Sequence, residues 1–251
     1  MRRFISRNPD KLERVPLVQL VPNMVTLSGM CFGLTSIRFA MEGRFQTAVF
    51  LILLSAVMDG LDGLLARRLQ AMSKIGAQLD SLSDFLCFGV APAILVYQMH
   101  LMGAGSIGWI FALIFAAACC LRLARFNVTS EMDEEQKTTP HFVGVPAPAG
   151  AMLGLLPVFL TLADMGDLTN WPMLVGLWMA FVALLMISEL RTLSPKGLKV
   201  PRKLVVVMMF AIVISIGMTF TRPWQLFVAI DLLYLAMVAY SLIKARGRMF
   251  G

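Results

Sequence analysis

Charge is scarce in this chain: only 15% of its 251 residues are Asp, Glu, Lys or Arg, against 58% hydrophobic. A soluble domain of this length rarely carries so few charges, and the mean hydropathy of +0.77 agrees. The short alternating segments of a transmembrane β-barrel are also missing, which excludes that class. No Ser/Gly-rich linker, composition shift or internal repeat divides the chain, which leaves one integral domain. The four cysteines, Cys31, Cys87, Cys119 and Cys120, form no C-x-x-C pair and no metal-like spacing. They are read as small core residues. No basic patch is interleaved with exposed aromatics, so nucleic acid is not an expected partner. His100 and His141 have no partner at catalytic spacing and are assigned to surface or interfacial positions. No Ser, Cys or His nucleophile stands beside a base, so direct displacement is expected rather than a covalent intermediate.

What the chain has is long apolar runs. Windows of 18 or more mostly apolar residues suffice to cross a bilayer core of about 30 Å. Eight such spans are expected: Leu20–Ala40, Phe45–Leu64, Ser81–Met102, Ile107–Asn127, Val145–Leu162, Met173–Ser188, Leu204–Phe220 and Trp224–Leu242. Pro146, Pro148 and Pro157 interrupt the fifth, and the sixth is short. The expected fold is an all-α, polytopic membrane bundle of about eight helices. With both termini cytoplasmic, 19 of the 22 Lys and Arg fall on the cytoplasmic side, leaving Arg38, Arg44 and Arg222 outside. That is the positive-inside bias. The net charge of +7 is then mostly a topology signal, and it also suits anionic lipid at the inner face.

Residues 1–19 form an N-terminal cytoplasmic segment, and 20–251 the transmembrane domain. "MRRFIS" resembles a twin-arginine signal, but the first apolar run starts some 15 residues later and no A-x-A site follows. Two readings remain for this segment: an amphipathic stretch lying on the membrane through Phe4, Ile5, Leu12, Val15 and Leu17, or a basic tail.

Five carboxylates lie within or at the ends of spans: Asp59, Asp62, Asp80, Asp84 and Asp231. A carboxylate at membrane depth costs a few kcal/mol or more, so it faces a wet cavity or a cation. Asp59 and Asp62 are i, i+3 at the end of span two; Asp80 and Asp84 are i, i+4 at the start of span three. Each pair shares a helix face, and the short connection makes the two helices antiparallel neighbours whose faces can meet. Four adjacent carboxylates need compensation. Hard divalent cations, Mg²⁺ or Mn²⁺, provide it and pair with substrate phosphates. The competing reading is neutralisation by Arg67, Arg68 and Lys74. Gly60, Gly63 and Gly76 serve either close approach of a bulky ligand or close helix packing. Asp231, alone in the last span, is read as a hydrogen-bonded packing residue. A cation transporter using the aspartates is the alternative of another class.

Residues 59–84 read D-x-x-D-G-x-x-A-R-x8-G-x-x-x-D-x-x-x-D, carried by Asp59, Asp62, Gly63, Ala66, Arg67, Gly76, Asp80 and Asp84. This resembles the signature of the CDP-alcohol phosphotransferases at all eight positions. The resemblance implies a membrane enzyme that moves a phosphatidyl-type group from a CDP-linked donor to an alcohol and releases CMP. It implies that Asp59, Asp62, Asp80 and Asp84 serve two divalent cations, Mg²⁺ or Mn²⁺, with Asp84 also the base for the acceptor hydroxyl. Gly63, Ala66, Arg67, Ser73 and Gly76 are carried over to binding of the CDP-lipid, here CDP-diacylglycerol. "PNMVT", residues 22–26, resembles the family's first-span element and adds Asn23 and Thr26 to the donor site. A homodimer, in a bacterial cytoplasmic membrane with its active site on the cytoplasmic face, is the family-based expectation.

"DSLSDFLCFGVAPA" (80–93), "RLARFN" (122–127) and "FVGVPAPAG" (142–150) resemble segments of the phosphatidylserine synthase branch, which implies L-serine as acceptor. Arg122 and Arg125, i, i+3 on one face, are proposed to bind the serine carboxylate, with Asn127 as a further polar contact. Two alternatives stay open: arginines that merely anchor the helix end to lipid headgroups, and a phosphorylated acceptor such as glycerol 3-phosphate or inositol phosphate. "EMDEEQK", residues 131–137, is read as a solvated acidic loop or a lid over the site.

Overall fold

The computed structural model describes residues 17–136, 145–188, 211 and 214–244, and every regular element among them is helical. Helix α1 runs Leu17–Met41 and α2 Phe45–Arg68. They are joined by a three-residue turn in which Gly43 takes a left-handed backbone (φ 73°), cheap only for glycine. Two cations at this turn find local partners. Arg38 pairs with Glu42 at 2.9 Å, and the Arg44 guanidinium lies 4.5 Å from the Phe39 ring centre.

The third long helix is continuous over Lys74–Ala104 but changes pitch. It begins as α3 (Lys74–Asp84), widens to π geometry over Phe85–Val90, returns to α in α4 (Ala91–Val96), and widens again over Tyr97–Leu101. Pro92 accounts for the first widening. It has no N–H for the Phe88 carbonyl and its ring crowds that turn, so the ladder loosens just upstream. More than half of this helix's apolar window is buried, the largest share of the five long helices. It is the central post of the bundle.

Helix α5 spans Ser106–Gln136, α6 Ala147–Leu162 and α7 Pro172–Ile187. Residues 214–221 are helical and lead to α8, Pro223–Lys244. The core joins the central post to α5, α6 and α7 through Phe88, Phe115, Leu153, Phe159, Met179 and Met186. Trp178 donates from its indole to the Leu153 carbonyl (2.8 Å), tying α7 to α6. Phe159 and Phe227 stack at 5.4 Å and dock α8 on α6. Gly33 marks a close approach of α1 to the post: a Cβ there would stand 2.6 Å from the Cys87 sulfur.

The all-helical expectation holds, with differences of detail. Among the described residues five helices are long and apolar enough to cross a membrane: those starting at Leu20, Phe45, Lys74, Ser106 and Pro223. The fifth and sixth expected spans are shorter helices of 16 residues, about 24 Å at 1.5 Å per residue. Pro146 precedes α6 and Pro148 sits in its first turn, where a missing N–H costs little; only Pro157 is interior. The seventh span, Leu204–Phe220, lies largely outside the described residues, as do the proposed N-terminal amphipathic stretch up to Val15 and His141. Pro22 is inside α1, which starts earlier than expected. The acidic run is not a loop up to Gln136, because α5 continues through it. Cys87 and Cys119 are buried as expected, but Cys31 and Cys120 are exposed. His100 is not at the surface: it is 2% exposed, with Nε2 2.9 Å from the Thr161 hydroxyl.

Candidate active site

The turn between α2 and α3 decides the site. Leu69 ends α2 and Gln70 adopts a left-handed backbone (φ 50°). Ser73 then caps α3, its hydroxyl accepting from the Gly76 amide at 3.0 Å. The reversal returns the chain antiparallel within five residues. It brings the i, i+3 pair of α2 against the i, i+4 pair of α3. Carboxylate oxygens of Asp59, Asp62 and Asp80 lie within 4.8 Å of one another. Asp84 joins through Asp59, whose carboxyl is within hydrogen-bonding reach of both Asp80 and Asp84. All four line one cleft, with Thr26, Ser55, Ser83 and Cys87 completing its walls.

Helix α1 forms the back wall. The Thr26 hydroxyl donates to Asp62 Oδ2 at 2.5 Å and is also 3.1 Å from the Pro22 carbonyl. Both Thr26 and Asp62 are buried. Ser83 donates to the Thr26 carbonyl (3.4 Å) and the Cys87 thiol to the Gly29 carbonyl (3.4 Å), so α3 and its π extension are pinned to α1.

The salt-bridge alternative is not met. Among the described residues the only ion pair is Arg38–Glu42, in the α1–α2 turn. Arg67, Arg68 and Lys74 are exposed and none lies within 4 Å of an aspartate oxygen. A cluster of oxygen donors with no ion pair among the described residues matches the ligand set that hard divalent cations take. The residues present therefore fit a divalent metal.

The glycines separate into two kinds. A Cβ on Gly60 or Gly63 would meet nothing within 4 Å, so neither serves helix packing. Gly76 is packed: a Cβ there would stand 3.0 Å from both Asn23 Oδ1 and Ser73 Oγ. Asn23, Ser73 and Gly76 thus share one corner at the start of α3. Ala66 is half-buried and Arg67 exposed on the last turn of α2.

The three proposed acceptor residues are not brought to one place. Arg122 is half-buried, and its charge acts on Asp84. Arg125, one turn on, is exposed and donates to the Ile187 carbonyl at 3.0 Å, closing the end of α7. Asn127 faces α3, its amide nitrogen 2.9 Å from the Ser81 hydroxyl, and so clamps α5 beside Asp80. Asp231 is buried, but its Oδ2 has no hydrogen-bond partner among the described residues, contrary to the expected hydrogen-bonded carboxyl.

Sequence reasoning missed Ser55, Ser83 and Gly29. Ser55 stands one turn before Asp59 and Ser83 next to Asp84, so helical spacing from the aspartates was the available signal.

Comparisons with known proteins point one way. A family model described as CDP-alcohol phosphatidyltransferase matches residues 19–186. A CDP-diacylglycerol–serine O-phosphatidyltransferase of Mycobacterium tuberculosis is 32% identical over 233 residues, 91% of this chain and 80% of that protein. The protein of the same name from Helicobacter pylori is 32% identical over 225 residues, 86% of this chain and 89% of its own length. One from Methanocaldococcus jannaschii is 33% identical over 171 residues, 68% of this chain and 72% of that protein.

Proposed function

This chain belongs to the CDP-alcohol phosphatidyltransferase family, and from that premise we propose that it transfers a phosphatidyl group from CDP-diacylglycerol to L-serine, yielding phosphatidylserine and CMP. The observation that carries the reading is the aspartate cluster: three carboxylates within 4.8 Å, a fourth against them, and among the described residues no Lys or Arg paired with any of them within 4 Å. The names of the relatives, over most of this chain, support serine as the acceptor.

Asp59, Asp62 and Asp80 would hold divalent cations, Mg²⁺ or Mn²⁺, with Asp84 beside them. Such cations, when bound, neutralise the donor pyrophosphate and the leaving CMP. The chain's own residues supply position and proton transfer. Thr26 holds one Asp62 oxygen, fixing the orientation of that carboxylate. The open space beside Gly60 and Gly63 admits the donor close to the α2 backbone. Arg67, exposed at the end of α2, is placed to give a charge-assisted bond to a donor phosphate. Asp84 takes the proton of the serine hydroxyl as its oxygen attacks the phosphorus that carries the diacylglycerol. A new O–P bond forms, the P–O bond to CMP breaks, and CMP leaves with that electron pair. Positioning and charge neutralisation are most of what phosphoryl-type transfer asks of a protein.

The 19-to-3 distribution of Lys and Arg supports cytoplasmic termini and a site at the cytoplasmic face. Residues 20–251 act as one membrane domain, which we place in a homodimer on family grounds. The decisive experiment offers purified enzyme CDP-diacylglycerol with Mg²⁺ or Mn²⁺ and, separately, serine, glycerol 3-phosphate or inositol phosphate, following CMP. Serine-dependent CMP release that stops on chelation is expected. Release only with a phosphorylated acceptor would refute the serine assignment, and release without divalent cation would refute the role of the cluster.

A further inference from the structure

The inner face of α5 is a row of every fourth residue. Phe115, Cys119 and Leu123 are buried, and the half-buried Asn127 ends the row. Such a row is what a helix lays against its neighbour, and Asn127 is its polar end. Its amide nitrogen lies 2.9 Å, and its amide oxygen 3.1 Å, from the Ser81 hydroxyl on α3. That hydroxyl is also 3.1 Å from the Ala77 carbonyl. With its hydrogen given to Ala77, a lone pair is left to accept from the Asn127 N–H. Among the described residues no other side-chain hydrogen bond joins α3 to α5.

A second contact fixes the register. Gly89 is eight residues after Ser81, and Cys119 eight before Asn127; a Cβ on Gly89 would stand 3.1 Å from the Cys119 Cβ. The third long helix and α5 are therefore antiparallel and meet at two points, one deep in the core and one beside Asp80. Asp84 lies between them along the chain. On its other side α3 is held by Ser83, whose hydroxyl reaches the Thr26 carbonyl at 3.4 Å. The residues lining the cleft come from α1, α2 and the third long helix, so α5 stands behind α3.

We infer that Asn127 is a positioning residue for the metal site: through Ser81 it fixes where α3 carries Asp80 relative to Asp59 and Asp62. Those three carboxylates gather from two helices to within 4.8 Å. A small hard cation such as Mg²⁺ demands near-ideal geometry, so a slight shift of α3 is felt as lost affinity. The assignment replaces the expected contact between Asn127 and the acceptor. It rests on the cluster holding divalent cations.

The test is a double-mutant cycle on Asn127→Ala and Ser81→Ala in the full-length protein. Its readout is Mn²⁺ affinity, taken from the electron paramagnetic resonance signal of free Mn²⁺ with no substrate present. Each single change should weaken Mn²⁺ binding about fivefold, the worth of one neutral hydrogen bond. The double variant should be no weaker than either single one. Ser81→Thr, which keeps the hydroxyl, should bind like wild type. In CMP-release assays at saturating Mn²⁺ the serine KM should hold throughout, because no acceptor contact is removed. Additive losses, or wild-type Mn²⁺ affinity in either alanine variant, would overturn the inference. So would a raised serine KM confined to Asn127→Ala, which returns that residue to the acceptor. Ser81→Ala removes a single oxygen and carries the test where Asn127→Ala is not recovered folded. Failure of the underlying reading is distinct: wild-type protein would then bind Mn²⁺ no better than an Asp59→Asn variant.

Discussion

Replacing Thr26 by valine removes one oxygen from the back wall of the cleft and little else. The Thr26 hydroxyl donates to Asp62 Oδ2 at 2.5 Å, and the two residues are 5% and 4% exposed. Valine keeps the shape, so no cavity opens, but Asp62 loses a donor that water cannot replace at that burial. A hydrogen bond to a charged group is worth about 1.5–3 kcal/mol, and each 1.4 kcal/mol is about tenfold. If the bond orients Asp62 for a cation, the half-activating Mg²⁺ or Mn²⁺ concentration should rise about 10- to 100-fold, the range for outer-shell partners of metal ligands. The assay is CMP release against metal concentration at saturating CDP-diacylglycerol and serine, with most of the maximal rate recovered at high metal. Thr26→Ser, which keeps the hydroxyl and loses a methyl, should stay within about threefold of wild type. Wild-type metal dependence in Thr26→Val refutes the reasoning. So does a Thr26→Ser enzyme as impaired as the valine variant, since packing would then be the cause.

Asp84→Asn should reduce turnover by about 10²- to 10⁴-fold, the usual worth of a general base, while binding of CDP-diacylglycerol, measured by equilibrium titration, is kept; near-normal turnover removes Asp84 from that role. The glycines give opposite expectations in thermal melting. Gly33→Ala drives a Cβ to 2.6 Å from the Cys87 sulfur and 3.3 Å from its Cα, and such overpacking costs about 1–3 kcal/mol, so the melting temperature should fall. Gly63→Ala meets nothing within 4 Å and should not lower it, but should raise the KM for CDP-diacylglycerol; an unchanged KM would end the assignment of Gly63 to the donor site.

The aspartates were legible because helix geometry is local. Spacings of three and four put Asp59 with Asp62, and Asp80 with Asp84, on shared faces whatever surrounds them. A connection of five residues between α2 and α3 left the antiparallel hairpin as the arrangement that joins them. Arg122 and Arg125 show where the same argument stops. Spacing put both on one face, but one turn of rise separates a side chain acting on Asp84 from one that reaches the end of α7. Which of the two a neighbouring helix covers depends on where α7 ends. His100 misled for the same reason: a polar residue near a helix end reads as interfacial until Thr161 of α6 is seen beside it.

Composition and periodicity by themselves determined that this chain is helical and membrane-embedded, and that four carboxylates belong to one site, since these follow from hydropathy and from contacts within a helix or across a short turn. Tertiary structure alone decided what holds and completes that site. Thr26 reaches Asp62 across 36 residues, Asn127 reaches Ser81 across 46, and Arg125 reaches Ile187 across 62. Such pairings depend on how helices pack, and packing is set by the summed fit of many apolar side chains rather than by any spacing along the chain.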